Sequence, residues 1–549
     1  MWLKVQTKLL NKHRFSDFRR DAANKSYVCR QRQITRRGTA SLHNSCSEDH
    51  DARTPLVDAV QKRANRKTET PFHVPGHKRG QGAPSKLKEL LGPDALAHDL
   101  TELDGLDYLA YPTGVIKEAQ EKAARAFGAD YTWFLVNGTT VGIQAAMMAT
   151  CIPGSGVILP RNCHQSVVSG LVLSGAVPVF VPPPVLEGFD FATGMTARGL
   201  WAALDEARAR RLRVGAVLAV SPTYFGTCGE IGPLAEICHR AGVPLIVDEA
   251  HGPHLSLLGG AARGALQEGA DLVVQSTHKV LGSMTQSSML HLKGGRVPPE
   301  RVSQALQTLQ SSSPSYILMA SLDAARAEAA GGSSLRRAAA AATLARTELS
   351  GLPGIDVLTD RIAPCDGVTA IDPLRLTCCV RGLGISGYEA SRLLEEEHGV
   401  VAELSTQQVV VFAFGSGSTE DHAAELVSAM TVLARRRRSS PAAIDPCPDS
   451  QRPRTSARAS ALSSGAAVSM SPREAFFASH KRVGFWEAAG ATAAELLCPY
   501  PPGIPVVMPG EVVSEEALRL LADVSSSGGT VLGASDASLS SLLVVDSGA

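Results

Sequence analysis

The chain has 549 residues, 44% hydrophobic and 19% charged, with a net charge of +1; that length exceeds what one hydrophobic core supports, so two to four domains are expected. A charge so near zero gives no electrostatic footprint of the kind a phosphate backbone requires; basic residues concentrate at the N-terminus and in Arg435–Arg438, and no nucleic-acid partner is expected. Eleven cysteines without a C-x-x-C pair argue against a disulfide framework or zinc site, and no run of about 18 apolar residues suggests a membrane span.

Taken in chain order, the first forty residues carry many Lys and Arg against only Asp17 and Asp21. This acid-poor, basic composition predicts an organelle transit peptide or a disordered leader, set outside the fold as residues 1–54. From Tyr131, "YTWFLVNG", "GVILP", "VPVFVPP", "VGAVLAVSP" and "VPLIVDEAH" read as strands. The stretches between them, "TVGIQAAMMATC", "HQSVVSGLVLSG", "LWAALDEARARR" and "PLAEICHRAG", read as helices. Nearly all-apolar strands separated by helices imply a parallel sheet covered on both faces, with ligands bound beyond the strand carboxyl ends. "DLVVQSTHK" and "SSMLHLKG" complete this large domain, residues 55–335. "SLRRAAAAATLARTEL" leads into a smaller α/β or α+β domain, 336–438, with strands in "LRLTCCV" and "QVVVFAF". Residues 439–469, rich in Ser, Ala, Pro and Arg, predict a flexible linker before a small C-terminal domain, 470–549.

Chemistry concentrates at the predicted strand ends. Lys279 follows Ser276, Thr277 and His278 at the end of a buried-looking strand; alone it would be a solvated charge. Asp248 and Glu249 close "VPLIVDEAH", with His251 next, and a lone acid there could equally cap a helix. In "LVNGTTVGIQAA" the backbone N–H groups of Gly138, Thr139 and Thr140 would point outward from a positive helix terminus, a phosphate site that a plain threonine cap would mimic. His164, in "RNCHQS", follows the next strand. A lysine, a carboxylate, a phosphate cradle and an imidazole at one sheet edge together match pyridoxal 5'-phosphate: the amine bonds the aldehyde and the acid keeps the pyridine nitrogen protonated.

The Lys279 stretch, with Ser276, His278, Gly282, Ser283, Gln286, Ser287 and Ser288 at matching spacing, resembles the cofactor-attachment site of the bacterial-type Orn/Lys/Arg decarboxylase family. "TPFHVPGHKRG", "DLTELDGLDYLAYPTGVIKEAQ", "NGTTVG", "SPTYFG", "VDEAHG", "SSSPSYILMASLD" and "CPYPPGIPVVMPGE" resemble it in the same order, over roughly 70–511. The resemblance implies a fold type I, aspartate-aminotransferase-like architecture and decarboxylation of lysine, arginine or ornithine. Lys279 becomes the Schiff-base lysine, Asp248 the pyridinium partner and His164 the ring-stacking residue. Thr139, Thr140, Ser276 and His278 would hold the phosphate, with His251 near the ring and Lys279 or His278 returning the proton to Cα. It also implies at least a homodimer, in which Ser312 and Ser313 reach the neighbour's phosphate. Gln165 and Thr140 depart from the lysine and serine common at those places. For the substrate's distal cation the candidate acids are Asp104, Asp107 and Glu511. A bacterial-type enzyme behind a transit-like leader implies a plastid, with mitochondrion or cytoplasm as alternatives. An aminotransferase on the same fold, which needs an arginine for the α-carboxylate, and a non-catalytic binding protein or sensor remain as other readings.

Overall fold

The computed structural model describes residues 52–66, 68–189, 191–362, 365–438, 467–500, 503–526 and 528–546. The basic leader, apart from its last three residues, and the expected linker, apart from 467–469, lie outside them. Short aliphatic runs build a seven-stranded sheet from β1 (Tyr131–Leu135), β2 (Gly156–Pro160), β3 (Val177–Val181), β4 (Val214–Val220), β5 (Leu245–Asp248), β6 (Leu272–Gln275) and β7 (Ser288–Leu292). The strand order is β1-β7-β6-β5-β4-β2-β3. Only β7 runs against its neighbours, and the other pairings are parallel. Alternate side chains divide between two apolar layers. Ile158, Val217, Val247, Val273 and Met289 enter one, and Leu159, Leu218, Ile246, Val274 and Leu290 the other. The expected α/β class with a mainly parallel sheet holds.

Helices α1 (Val115–Phe127), α2 (Gly138–Thr150), α3 (Gln165–Ser174), α4 (Ala197–Ala209) and α5 (Ile231–Arg240) cover the sheet. In α1, Ile116, Ala119, Ala123 and Phe127 form one buried stripe, and Gly128 ends the helix at φ 74°. Helix α2 lies so close to the sheet that a Cβ on Gly142 would stand 2.5 Å from Val274 Cγ1 and 2.7 Å from Leu135 Cδ1.

Helix α6 (Ser333–Ser350) runs through the boundary expected at 335/336, because Leu335, Ala338, Ala342, Ala345 and Leu349 make one continuous buried face. Beyond it, β8 (Asp356–Val357), β9 (Arg375–Cys379), β10 (Leu404–Ser405) and β11 (Val409–Ala413) form an antiparallel sheet ordered β8-β9-β11-β10. The C-terminal part opens with α7 (Pro472–Phe477), where Ser471 and Glu474 form a reciprocal capping box. It continues with two strand pairs, β12 (His480–Gly484) with β15 (Ser541–Val545) and β13 (Cys498–Tyr500) with β14 (Thr530–Leu532). Helix α8 (Glu515–Ser526) packs over their shared core.

Candidate active site

Five strand ends deliver side chains to one rim. Asp248 is the last residue of β5, Lys279 follows β6, Thr139 starts α2 after β1, His164 caps α3 after β2, and Tyr224 follows β4. These residues, with Val220, Pro222, Ala250 and His251, line a cavity that opens to solvent. This is the carboxyl-end crevice that a parallel sheet provides.

Lys279 Nζ stands 3.0 Å from His251 Nε2, and Arg375 donates to His251 Nδ1 at 2.7 Å. The Tyr224 ring lies 4.8 Å from the His251 ring, tilted by 57°, with Lys279 Nζ 5.9 Å from its centroid. Burial lowers the Lys279 amine below its ordinary value; Asp248 opposes that shift, Arg375 adds to it and Glu403 opposes it. Burial raises the Asp248 carboxyl, against the pull of Lys279 and of the Ala250 N–H. The backbone N–H of Ala250 donates to Asp248 at 3.1 Å. Burial and then the Lys279 charge push His164 down to about 4; Ser166 N–H donates to its Nδ1 at 3.1 Å. Burial, then Lys279 and Arg375, hold His251 well below its usual range. The rim therefore combines a free-amine-prone lysine with neutral imidazoles.

The phosphate cradle differs from expectation in one part. Gly138, at φ 70°, gives its N–H to Gln286 O at 2.8 Å, so this group is already engaged. Thr139 and Thr140 stand in the first turn of α2, where backbone N–H groups lack intrahelical acceptors, and no side chain caps the helix. Thr139 and Ser276 hydroxyls meet at 3.1 Å, while Thr140 is exposed. His278 turns its Nδ1 to Ser287 O at 2.8 Å and does not line the cavity.

The candidate substrate acids are not assembled at the rim. Asp107 accepts from Gly114 N–H at 2.7 Å and Ile116 N–H at 3.1 Å, capping α1; a helix start with open amides recruits an acid. Glu511 is buried against Arg161 at 3.0 Å and accepts from Met508 N–H at 2.8 Å. Arg161 also donates to Pro505 O and Val506 O, at 2.7 and 2.8 Å. Glu511 thus clamps the C-terminal part to the large sheet, and both acids are corrected to structural roles. Asp104 is exposed and outside the cavity lining. The clamp holds the loop after β13 near the rim: a Cβ on Gly503 would stand 3.5 Å from His164 Cδ2, and Gly503 O accepts from Gln165 N–H at 3.3 Å.

Sequence reading missed Tyr224, Arg375 and Arg161. Tyr224 stood inside a quoted motif without a role, and "RNCHQS" drew attention to its histidine rather than its arginine. Arg375 opens what read only as an apolar strand, and nothing local marked its side chain as crossing to another domain.

Comparison with known proteins matches residues 54–354 to the family described as Orn/Lys/Arg decarboxylase, major domain, and residues 456–526 to its C-terminal domain. The chain is 35% identical to the arginine decarboxylase of Bacillus subtilis (strain 168), over 90% of this chain and 98% of that protein. It is 26% identical to the lysine decarboxylase LdcA of Pseudomonas aeruginosa, over 82% and 73% respectively. The crystal structure of the Francisella novicida lysine decarboxylase LdcF shares the fold with a TM-score of 0.77 at 22% identity, over 90% of this chain and 81% of that one. The plastid expectation is overturned: these similar proteins are bacterial decarboxylases, so a bacterial relationship accounts for the match without import. Among the described residues no helix is long and apolar enough to cross a membrane.

Proposed function

The chain belongs to the Orn/Lys/Arg decarboxylase family and is a carboxy-lyase, and from that premise we propose that it removes the α-carboxylate of a basic amino acid, arginine foremost, with pyridoxal 5'-phosphate as cofactor. The observation that carries this reading is the meeting of half-buried Lys279 and His164 with buried Asp248 and His251 around one cavity. Arginine leads because identity to an arginine decarboxylase, 35%, exceeds that to a lysine decarboxylase, 26%.

The residues present fit the cofactor. An amine, a carboxylate, a neutral imidazole and an uncapped helix terminus with two hydroxyls are the donors and acceptors that its aldehyde, ring nitrogen, ring face and phosphate require. When bound, the cofactor supplies an electron sink for the bond broken at Cα. Lys279 holds it, and its lowered basicity keeps the nitrogen nucleophilic. Asp248, 5% exposed at the rim, would pair with the cofactor's ring nitrogen and keep it protonated. Thr139 and Ser276 fix the phosphate end, and His164 remains neutral above about pH 4, a flat apolar face against which a ring can lie. The carbon that loses carbon dioxide must gain one proton, which Lys279, 3.0 Å from His251, or His278 would return. The assembly proposed is a homodimer; Ser312 and Ser313, exposed in the single chain, are free to reach a neighbour.

The test is release of carbon dioxide from arginine, lysine and ornithine by the cofactor-loaded full-length chain, beside Lys279→Ala. Release from arginine at the highest kcat/KM, lost in the variant together with the lysine-bound cofactor absorption, is the expected result. Cofactor binding that depends on Lys279 without gas from any of the three amino acids would overturn the reading.

A further inference from the structure

Arg375 is 3% exposed and stands at the start of β9, opposite Ala413 of β11, in the smaller sheet. Its side chain leaves that sheet and donates through Nη2 to His251 Nδ1, 2.7 Å away on the loop after β5. The stem lies in a slot that only glycine leaves open. Gly226 has φ +88°, and a Cβ there would stand 2.7 Å from Arg375 Cβ and 2.8 Å from Cγ. Arg346 Nη2 holds the Arg375 carbonyl at 2.8 Å. Arg375 Nε and Nη1 are buried and find no acceptor among the described residues, so the side chain's hydrogen bond goes to the imidazole rather than to an acid.

The direction of the hydrogen bonds follows from valence. A guanidinium only donates, so His251 Nδ1 must accept, and a neutral imidazole then carries its hydrogen on Nε2. Nε2 faces Lys279 Nζ at 3.0 Å, and an ammonium cannot accept, so the lysine on the receiving end is the free amine. The opposite arrangement, a lysine ammonium donating to Nε2, would put the hydrogen on Nδ1, directly against the Arg375 N–H. A protonated His251 would place three cations in a row inside a buried site. The other groups that face this pair are Asp248 and Glu403 toward Lys279, and His164 and His278 toward His251. The Tyr224 ring closes the remaining side of the imidazole.

We infer that Arg375 is a positioning residue for the reacting lysine: by donating to His251 Nδ1 it fixes the Nε2–H tautomer, and that tautomer holds Lys279 as the free amine. The inference rests on the reading of Lys279 as the reacting nitrogen, but its test does not depend on decarboxylation. Full-length chain labelled with ¹⁵N in its histidine rings, with His251 assigned by its loss in His251→Asn, reports which ring nitrogen carries hydrogen. In parallel, acetylation of Lys279 in the cofactor-free full-length chain, where the amine is not bonded to the aldehyde, by dilute acetic anhydride and read by mass spectrometry across pH, reports the midpoint at which the amine becomes free.

The unsubstituted chain is expected to show Nε2–H. Arg375→Met is expected to populate Nδ1–H and to make Lys279 acetylate about tenfold more slowly near neutral pH, a shift of about one unit in the midpoint. Arg375→Lys, whose ammonium also only donates, is expected to restore Nε2–H. An Nδ1–H or doubly protonated His251 in the unsubstituted chain overturns the inference, and that measurement stands even if Arg375→Met does not fold. So does a folded Arg375→Met that keeps both the tautomer and the midpoint. A chain that shows the Nε2–H form yet releases no carbon dioxide supports the lock and removes the decarboxylase reading instead.

Discussion

At the scale of the residue, the same side-chain type does different work according to what it meets. Asp107 and Asp248 are both acids at element ends. Asp107 faces the open amides of α1, whereas Asp248 faces a cavity beside an amine. Asp107→Ala should therefore cost about 1–2 kcal/mol of stability in urea unfolding and leave the arginine KM unchanged; a large KM rise without destabilisation would return Asp107 to substrate binding. Two imidazoles set an acid limit. His164 and His291 are pushed down to about 4 and about 3, first of all by burial, while an unfolded imidazole titrates near 6.5. Between those values the unfolded chain binds more protons. Their stabilising contribution is thus complete above about pH 6.5 and is lost as pH falls through 4 and then 3, at up to about 1.4 kcal/mol per pH unit for each group. Urea midpoints measured from pH 7 to 3.5 should fall accordingly, and a flat profile would refute this account.

At the scale of the element, α2 decides how closely the cofactor end of the site approaches the sheet. Gly142→Ala would push a methyl into Val274 and Leu135, and overpacking of this kind costs about 1–3 kcal/mol. Because α2 also carries Thr139, the variant should bind pyridoxal phosphate more weakly as well as melt earlier; a lower melting temperature with unchanged cofactor affinity would uncouple the two. The strands and helices of the large sheet were legible because nearly every strand residue is buried, leaving continuous apolar runs that alternate with amphipathic helices. Lys279, Asp248 and His164 were legible because each sits where such a run stops. The boundary at 335/336 was not, since α6 is one Ala-rich face with no break in its pattern. Nor was the Gly138 hydrogen bond to Gln286, which joins segments far apart in sequence. Arg375 was hidden for the same reason: its partner stands 124 positions away on the loop after β5.

At the scale of the whole molecule, the rim is closed by three separate stretches: the large sheet, Arg375 from the smaller sheet, and the loop near Gly503 from the C-terminal part. The Arg161–Glu511 pair, 1% and 2% exposed, fastens the last of these. Breaking one side, as in Glu511→Ala, leaves a buried cation unpaired and should cost about 3–5 kcal/mol, whereas Arg161→Met with Glu511→Leu should cost less. Calorimetry of the two variants checks the order, and equal losses would contradict it. The distance along the chain from His164 to Gly503 has a further consequence, in time rather than energy. At 5–20 residues per second, roughly 340 residues take a ribosome about 20–70 s. For that interval a nascent large domain can present His164, and for the last 224 or so residues of it, about 11–45 s, Lys279 as well, before their last wall has been made.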